Sequence, residues 1–119
     1  MLNQVVLVGR LTDDPKVEES ENGTKYSTIV LAVQRTFKNS EGIYEADFIR
    51  CRLWNAIANS TSEYCHKGDI VGIKGRIQVS NYDDEDGNKK YMTEVIAEKV
   101  TFLTSKKKKK KNKYTYKIP

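Results

Sequence analysis

Between Ala46 and Asn55 the chain reads ADFIRCRLWN, and its alternate positions differ in character. Ile49, Cys51 and Leu53 share one phase, while Phe48, Arg50, Arg52 and Trp54 share the other. A helix would scatter both sets around its axis. A strand, whose side chains point to opposite faces in turn, separates them cleanly. The segment is therefore a strand with an apolar face that belongs in a core and a second face that does not. Two arginines are not buried without partners, so Phe48 and Trp54 are expected to share a solvent-facing surface with two guanidiniums. Large exposed aromatic rings need a reason, and a flat, charged ligand supplies one.

The flanking sequence extends the β pattern. Gln4 to Leu11 (QVVLVGRL) is rich in β-branched residues and is closed by the turn-forming Thr12, Asp13, Asp14 and Pro15. Asn22-Gly23 opens a second strand from Thr24 to Phe37, and KNSEGIYE forms a loop before the third strand at Ala46 to Asn55. Ala56 to Cys65 loses the period of two, carries Ile57 and Tyr64 seven apart, and stops before His66-Lys67-Gly68, which predicts one short helix. A fourth strand runs from Asp69 to Tyr82, with Gly72 and Gly75 marking bulges or a bend. Asp86-Gly87 makes a tight turn into the fifth strand, Tyr91 to Leu103. Three strands, a short helix and two more strands, all long and glycine-marked, predict an all-β fold: a five-stranded OB-fold barrel with one helix between strands three and four.

Charge divides the chain in two. The whole chain carries +5, yet residues 105–119 hold eight lysines and no acid, leaving thirteen basic against sixteen acidic residues in 1–104, a net of −3. The division expected is a barrel domain over 1–104 followed by a lysine-rich, disordered tail over 105–119, because a block of like charges repels itself. Ligand binding by the body cannot rest on net charge and has to rest on where the cations lie.

Several classes drop out. The longest apolar run, Ile29 to Val33, is far short of the roughly 20 residues that span a bilayer, and no signal-like segment follows Met1, so a cytoplasmic protein without membrane association is expected. Cys51, Cys65 and His66 offer three ligands at a spacing unlike a zinc site, so neither a metal nor another cofactor is expected. The acidic run Asp83 to Asp86 sits at a hairpin tip, whereas a two-metal nuclease needs carboxylates converging from separate elements. With no nucleophile motif, the chain reads as a non-enzyme.

In the fourth strand Val71, Ile73, Ile77 and Val79 take the core parity, and Lys74, Arg76, Gln78, Ser80 and Tyr82 the other. Two basic, aromatic-bearing faces on one barrel make a groove in which cations neutralise phosphates and rings stack on unpaired bases, the combination used for single strands without sequence readout. Phe37 shares the phase of Ile29, Leu31 and Val33 and is read as core unless a bulge intervenes; Arg10 and Arg35 read as solvated charges. The acidic clusters Asp13 to Glu21 and Asp83 to Asp86 are placed in loops away from these faces. An RNA-binding barrel of cold-shock type, or a protein-interaction module whose exposed rings bury against another subunit, would show the same parity.

Five segments in order, VVLVGRLTDDPKV, TIVLAVQRTF, ADFIRCRLWNAIA, KGDIVGIKGRIQVSNY and YMTEVIAEKVTFL, resemble the bacterial single-stranded DNA-binding protein family over residues 1–104. The resemblance implies an OB-fold, sequence-independent binding of single-stranded DNA in replication, recombination and repair, and four base-stacking positions at Phe37, Phe48, Trp54 and Tyr82. It therefore predicts a bulge in the second strand that frees Phe37. Phosphate neutralisation falls to Arg35, Arg50, Arg52, Lys74 and Arg76, with Arg10 a weaker candidate. Family members are typically homotetramers, which implies subunit pairing through Leu2 to Val8. The likeness stops before the six consecutive lysines 106–111, where the family carries an acidic tip that docks replication and repair enzymes, so that docking is not expected of this chain.

Overall fold

The computed structural model describes residues 1–104. The expectation of a disordered tail concerns residues 105–119 and lies outside them. The elements in chain order are β1 (Val5–Leu11), β2 (Glu18–Glu19), β3 (Lys25–Lys38), β4 (Tyr44–Trp54), α1 (Asn55–Tyr64), β5 (Ile70–Asp83) and β6 (Lys89–Phe102). Strand order across the sheet is β1-β5-β6-β4-β3-β2, and β1 pairs with β3 as well as β5. That second pairing closes five strands into a barrel, with β4 and β6 side by side in parallel. The OB-fold architecture holds, with one addition. β2, a two-residue strand pairing Glu18 with Tyr26 and Glu19 with Lys25, was too short to leave a period in the sequence.

The core is assembled from the phase expected to face inward. Leu11, Ile29, Leu31, Cys51, Leu53, Val71, Ile73, Val95 and Ala97 are buried together, and Ala58 of α1 joins them from one end of the barrel. Each large aliphatic side chain so buried contributes about 1.5–3 kcal/mol. The helix buries Ala58 and Thr61, packs Ile57 against the core and leaves Tyr64 exposed. Tyr64 instead meets Phe102, with ring centroids 5.9 Å apart.

Ile77 and Val79 depart from the expectation that they belong to the core, being 43% and 55% exposed. They lie on the outer part of the β5–β6 hairpin, which ends in the turn at Asp84–Gly87. Alternation there reports only which side a residue faces, since a hairpin arm reaching past the barrel has no core beneath it. The bend falls at Gly75 and not at Gly72. Between Lys74↔Lys99 and Gly75↔Ala97 the register shifts, leaving Glu98 as the extra residue. A Cβ on Gly75 would lie 2.0 Å from the Ile96 carbonyl oxygen, whereas at Gly72 it would find ordinary van der Waals space.

Candidate nucleic-acid interface

The outward phase of β4 is the spine of the site. Register places Trp54 opposite Tyr26, Arg52 opposite Thr28, Arg50 opposite Val30 and Phe48 opposite Ala32, all on the face turned away from the core. On the other side Arg52 pairs with Ile96, which pairs with Arg76; Glu94 pairs with Gln78, and Lys90 with Tyr82. Phe48, Arg50, Arg52, Trp54, Arg76 and Tyr82 therefore lie on one continuous outer surface of β3, β4, β6 and β5. Phe48 is 68% exposed and Trp54 36%. Lys74, also exposed, faces outward two residues before Arg76 and lies opposite Val6 of β1.

Trp54 stands where β4 ends. The next residue, Asn55, adopts φ 53°, a left-handed conformation that asparagine tolerates better than most side chains, and α1 starts there. The chain thus turns away immediately after the ring and leaves it at the rim.

The cations are not bare, which alternation could not reveal. Glu94 is 4% exposed, and its Oε2 accepts from Arg50 Nε at 3.1 Å and from Arg52 Nη2 at 3.0 Å. One buried carboxylate thus fixes two guanidiniums side by side and cancels part of their charge. Arg52 also lies 5.2 Å from the Tyr26 ring centroid and 5.6 Å from that of Trp54, within cation–π range of both. Arg76 approaches Glu98 at 3.7 Å and donates to Gln78 at 2.7 Å.

Arg35 lies in a different setting. It shares the phase of Val33, whose partner is Asp47, and it donates to Asp47 Oδ1 and Glu45 Oε1, each at 2.8 Å. The Arg35 hydrogen bond holds the Asp47 carboxyl below its ordinary range, and Asp47 in turn raises Arg35. Arg10, outward on β1 opposite Ala32, donates to the Gly68 carbonyl at 3.3 Å. It borders a groove of about 330 Å³ between β1, β3 and β4, lined also by Gln34 and Tyr44.

The bulge expected in the second strand is present. β3 and β4 lose register between Gln34 and Lys38, so that residues 35–37 face Glu45 alone. Phe37, inside this segment, is 62% exposed and is not part of the core. Two extra residues restore the ladder phase, so it is Lys38, opposite Tyr44, that regains the face of Phe48; its Nζ lies 5.6 Å from the Tyr44 ring.

Residues that sequence parity passed over are Tyr26, Tyr44, Lys38 and Glu94. Tyr26 and Tyr44 were within reach of the same alternation, since each has the outward phase of its strand. Glu94 was not, because residues 94–97 are all buried and show no period. The placing of Asp13 to Glu21 away from the strand faces also needs correction. Glu18 is in β2, beside Tyr26, and its hydrogen bond and charge raise the Tyr26 phenol above its ordinary pKa.

Beneath the surface, burial, reinforced by the charge of Glu94, pushes the Cys51 thiol up to about 12, which leaves it unreactive at neutral pH. Among the described residues no cluster of three or more His, Cys, Asp or Glu is placed to hold a metal ion, and no helix is long and apolar enough to cross a membrane.

The chain is 46% identical over 110 residues to "Single-stranded DNA-binding protein B" of Bacillus subtilis, an alignment covering 92% of this chain and 97% of that one. It is 47% identical over 106 residues to "Single-stranded DNA-binding protein 3" of Listeria innocua and 48% identical over 103 residues to the "Single-stranded DNA-binding protein" of Bacillus cereus. Those alignments cover 89% and 87% of this chain but only 66% and 61% of the relatives, so the chain spans less than two thirds of their length. Residues 2–103, nearly the whole of the barrel, match the single-strand binding protein family, and the chain belongs to that family.

Proposed function

We propose that the chain binds single-stranded DNA without reading its sequence, protecting and organising exposed strands during replication, recombination and repair. It acts by binding and not by catalysis. The observation that carries the reading is the outer face of β4, where exposed Phe48 and Trp54 flank Arg50 and Arg52 in phase. Rings stack on unpaired bases, whose faces a duplex hides, and cations meet the phosphates between them.

The stacking rings are Phe48 and Trp54 on β4, with Tyr82 near the end of β5 and Phe37 on the bulged arm of β3. Phosphates are met by Arg50, Arg52, Lys74 and Arg76, with Arg35 and Arg10 at the border. The binding unit is residues 1–104, and the lysine-rich 105–119 adds nonspecific phosphate contacts. Subunits pair into a homotetramer through Leu2 to Val8, a reading supported by the exposure of Leu2, Val6 and Val8 on β1 and the residues before it. The site of action is the cytoplasm, at the nucleoid.

Trp54 is the single tryptophan, so its fluorescence reports the site directly. Oligo-dT is expected to quench it and to bind far more tightly than duplex DNA of equal length, with log affinity falling linearly as log salt rises. Equal-length RNA is the discriminating competitor: if it displaced oligo-dT at equal concentration, the cold-shock alternative would replace this reading. No salt-dependent binding at all would favour the protein-interaction alternative.

The Arg35–Asp47 pair gives a second expectation. Both side chains are exposed, so the pair adds little stability, and its main effect is to neutralise a cation next to the site. Because Glu45 pairs with the same guanidinium, Asp47→Asn combined with Glu45→Gln should tighten oligo-dT binding and steepen the salt slope by up to about 0.7, the increment for one phosphate contact on a single strand. An unchanged slope would place Arg35 outside the DNA track.

A further inference from the structure

Tyr26, like Tyr44, is a ring of this surface that neither parity nor family likeness brought into the site. Its position is specific. It lies directly across the β3–β4 ladder from Trp54, on the outer face, with centroids 5.6 Å apart and planes tilted by 47°. Arg52 lies against both rings, 5.2 Å from one centroid and 5.6 Å from the other, and is anchored by Glu94. On its other side Tyr26 pairs across the ladder with Glu18 of β2. A ring that is part-exposed, fixed by two neighbours and level with a stacking tryptophan is a ready platform, with little side-chain entropy left to lose on binding.

We propose that Tyr26 is a further base-stacking residue, taking the nucleotide next to the one on Trp54. The inference rests on the reading of this face as the DNA track. The tilt decides between sharing and succession, because one planar base cannot lie flat on two rings inclined at 47°. Each ring therefore takes its own base, and Arg52, in reach of both rings, meets the phosphate that joins the two nucleotides. The acids of β2 set the outer limit of the track. Glu18 and Glu19 are exposed and would repel a backbone that continued past Tyr26.

The test is a set of variants on the intact chain, read by anisotropy of a labelled dT oligomer: Tyr26→Ala, Tyr26→Leu, Tyr26→Phe, Trp54→Ala, and Tyr26→Ala combined with Trp54→Ala. Tyr26→Ala and Tyr26→Leu should each weaken binding by about five- to 150-fold, the range for one stacked base. Leucine keeps apolar packing against Trp54, so an equal loss from both isolates the aromatic face. Tyr26→Phe, which gives up only the phenol, should bind as the parent does. In the Trp54→Ala background, Tyr26→Ala should still weaken binding.

If that last loss vanished, Tyr26 would merely prop Trp54, and the proposal would be overturned. Parent-like binding by Tyr26→Ala while Trp54→Ala weakens would overturn it too, leaving the DNA track in place. A parent chain that failed to bind the oligomer, or binding indifferent to Trp54→Ala, would instead remove the track and this proposal with it.

Discussion

Replacing Phe48 and Trp54 together by alanine is expected to weaken binding of a dT oligomer by about 2–6 kcal/mol, from about 1–3 kcal/mol for each stacked base. Both rings are on the surface, so the fold should survive their loss with little change in the denaturation midpoint. The salt dependence should survive as well. Arg50, Arg52, Lys74 and Arg76 remain in the double variant, and the slope of log affinity against log salt counts phosphate contacts, not rings. A large drop in affinity at constant slope would separate stacking from charge. Fluorescence cannot follow it once the tryptophan is gone, so the measurement is anisotropy of the labelled strand at two or more salt concentrations. Affinity within a factor of two of the parent would remove Phe48 and Trp54 from the site.

The second large effect falls on the fold. Gly75→Ala should destabilise the barrel by about 3 kcal/mol or more, at or beyond the upper end of ordinary overpacking. The added Cβ would lie 2.0 Å from the Ile96 carbonyl oxygen and 2.9 Å from its carbon. Those atoms belong to the backbone of β6 and cannot rotate aside. Moving them would disturb the register shift opposite Glu98 and, through Ile96, the pairing of β6 with Arg52 of β4. The check is denaturant unfolding at fixed protein concentration, since an oligomer's midpoint depends on it. Gly72→Ala is the control, because a Cβ there meets nothing closer than 3.7 Å. Equal midpoints for the two variants would show that β6 yields at this point.

The two predictions draw on different kinds of information. Phe48 and Trp54 were legible because β4 is buried on one side and wet on the other along most of its length, so residue type and face coincide. The bulge that exposes Phe37 was legible only through the family likeness, since parity placed that ring with Ile29 and Leu31. Ile77 and Val79 misled because alternation carries a burial label only while there is a core to bury into, and the β5–β6 arm has none. Gly72 and Gly75 were indistinguishable as letters. Which one marks the bend depends on how closely β6 passes, a distance between strands about twenty residues apart in sequence.

By itself the sequence determined which side chains share a face within each strand, the single helix after the third long strand, and the candidate rings and cations. These follow from local geometry, because the period of two is a property of one strand alone. Tertiary structure decided how those faces join and what charge they carry. Closure through β1–β3 brought Arg10 level with Ala32 and Phe48, and the parallel approach of β6 to β4 put Glu94 beneath Arg50 and Arg52. An ion pair spanning more than forty residues, and a tyrosine set beside a tryptophan by a ladder between two strands, depend on register. Register is settled by packing around the closed barrel, and no single segment contains it.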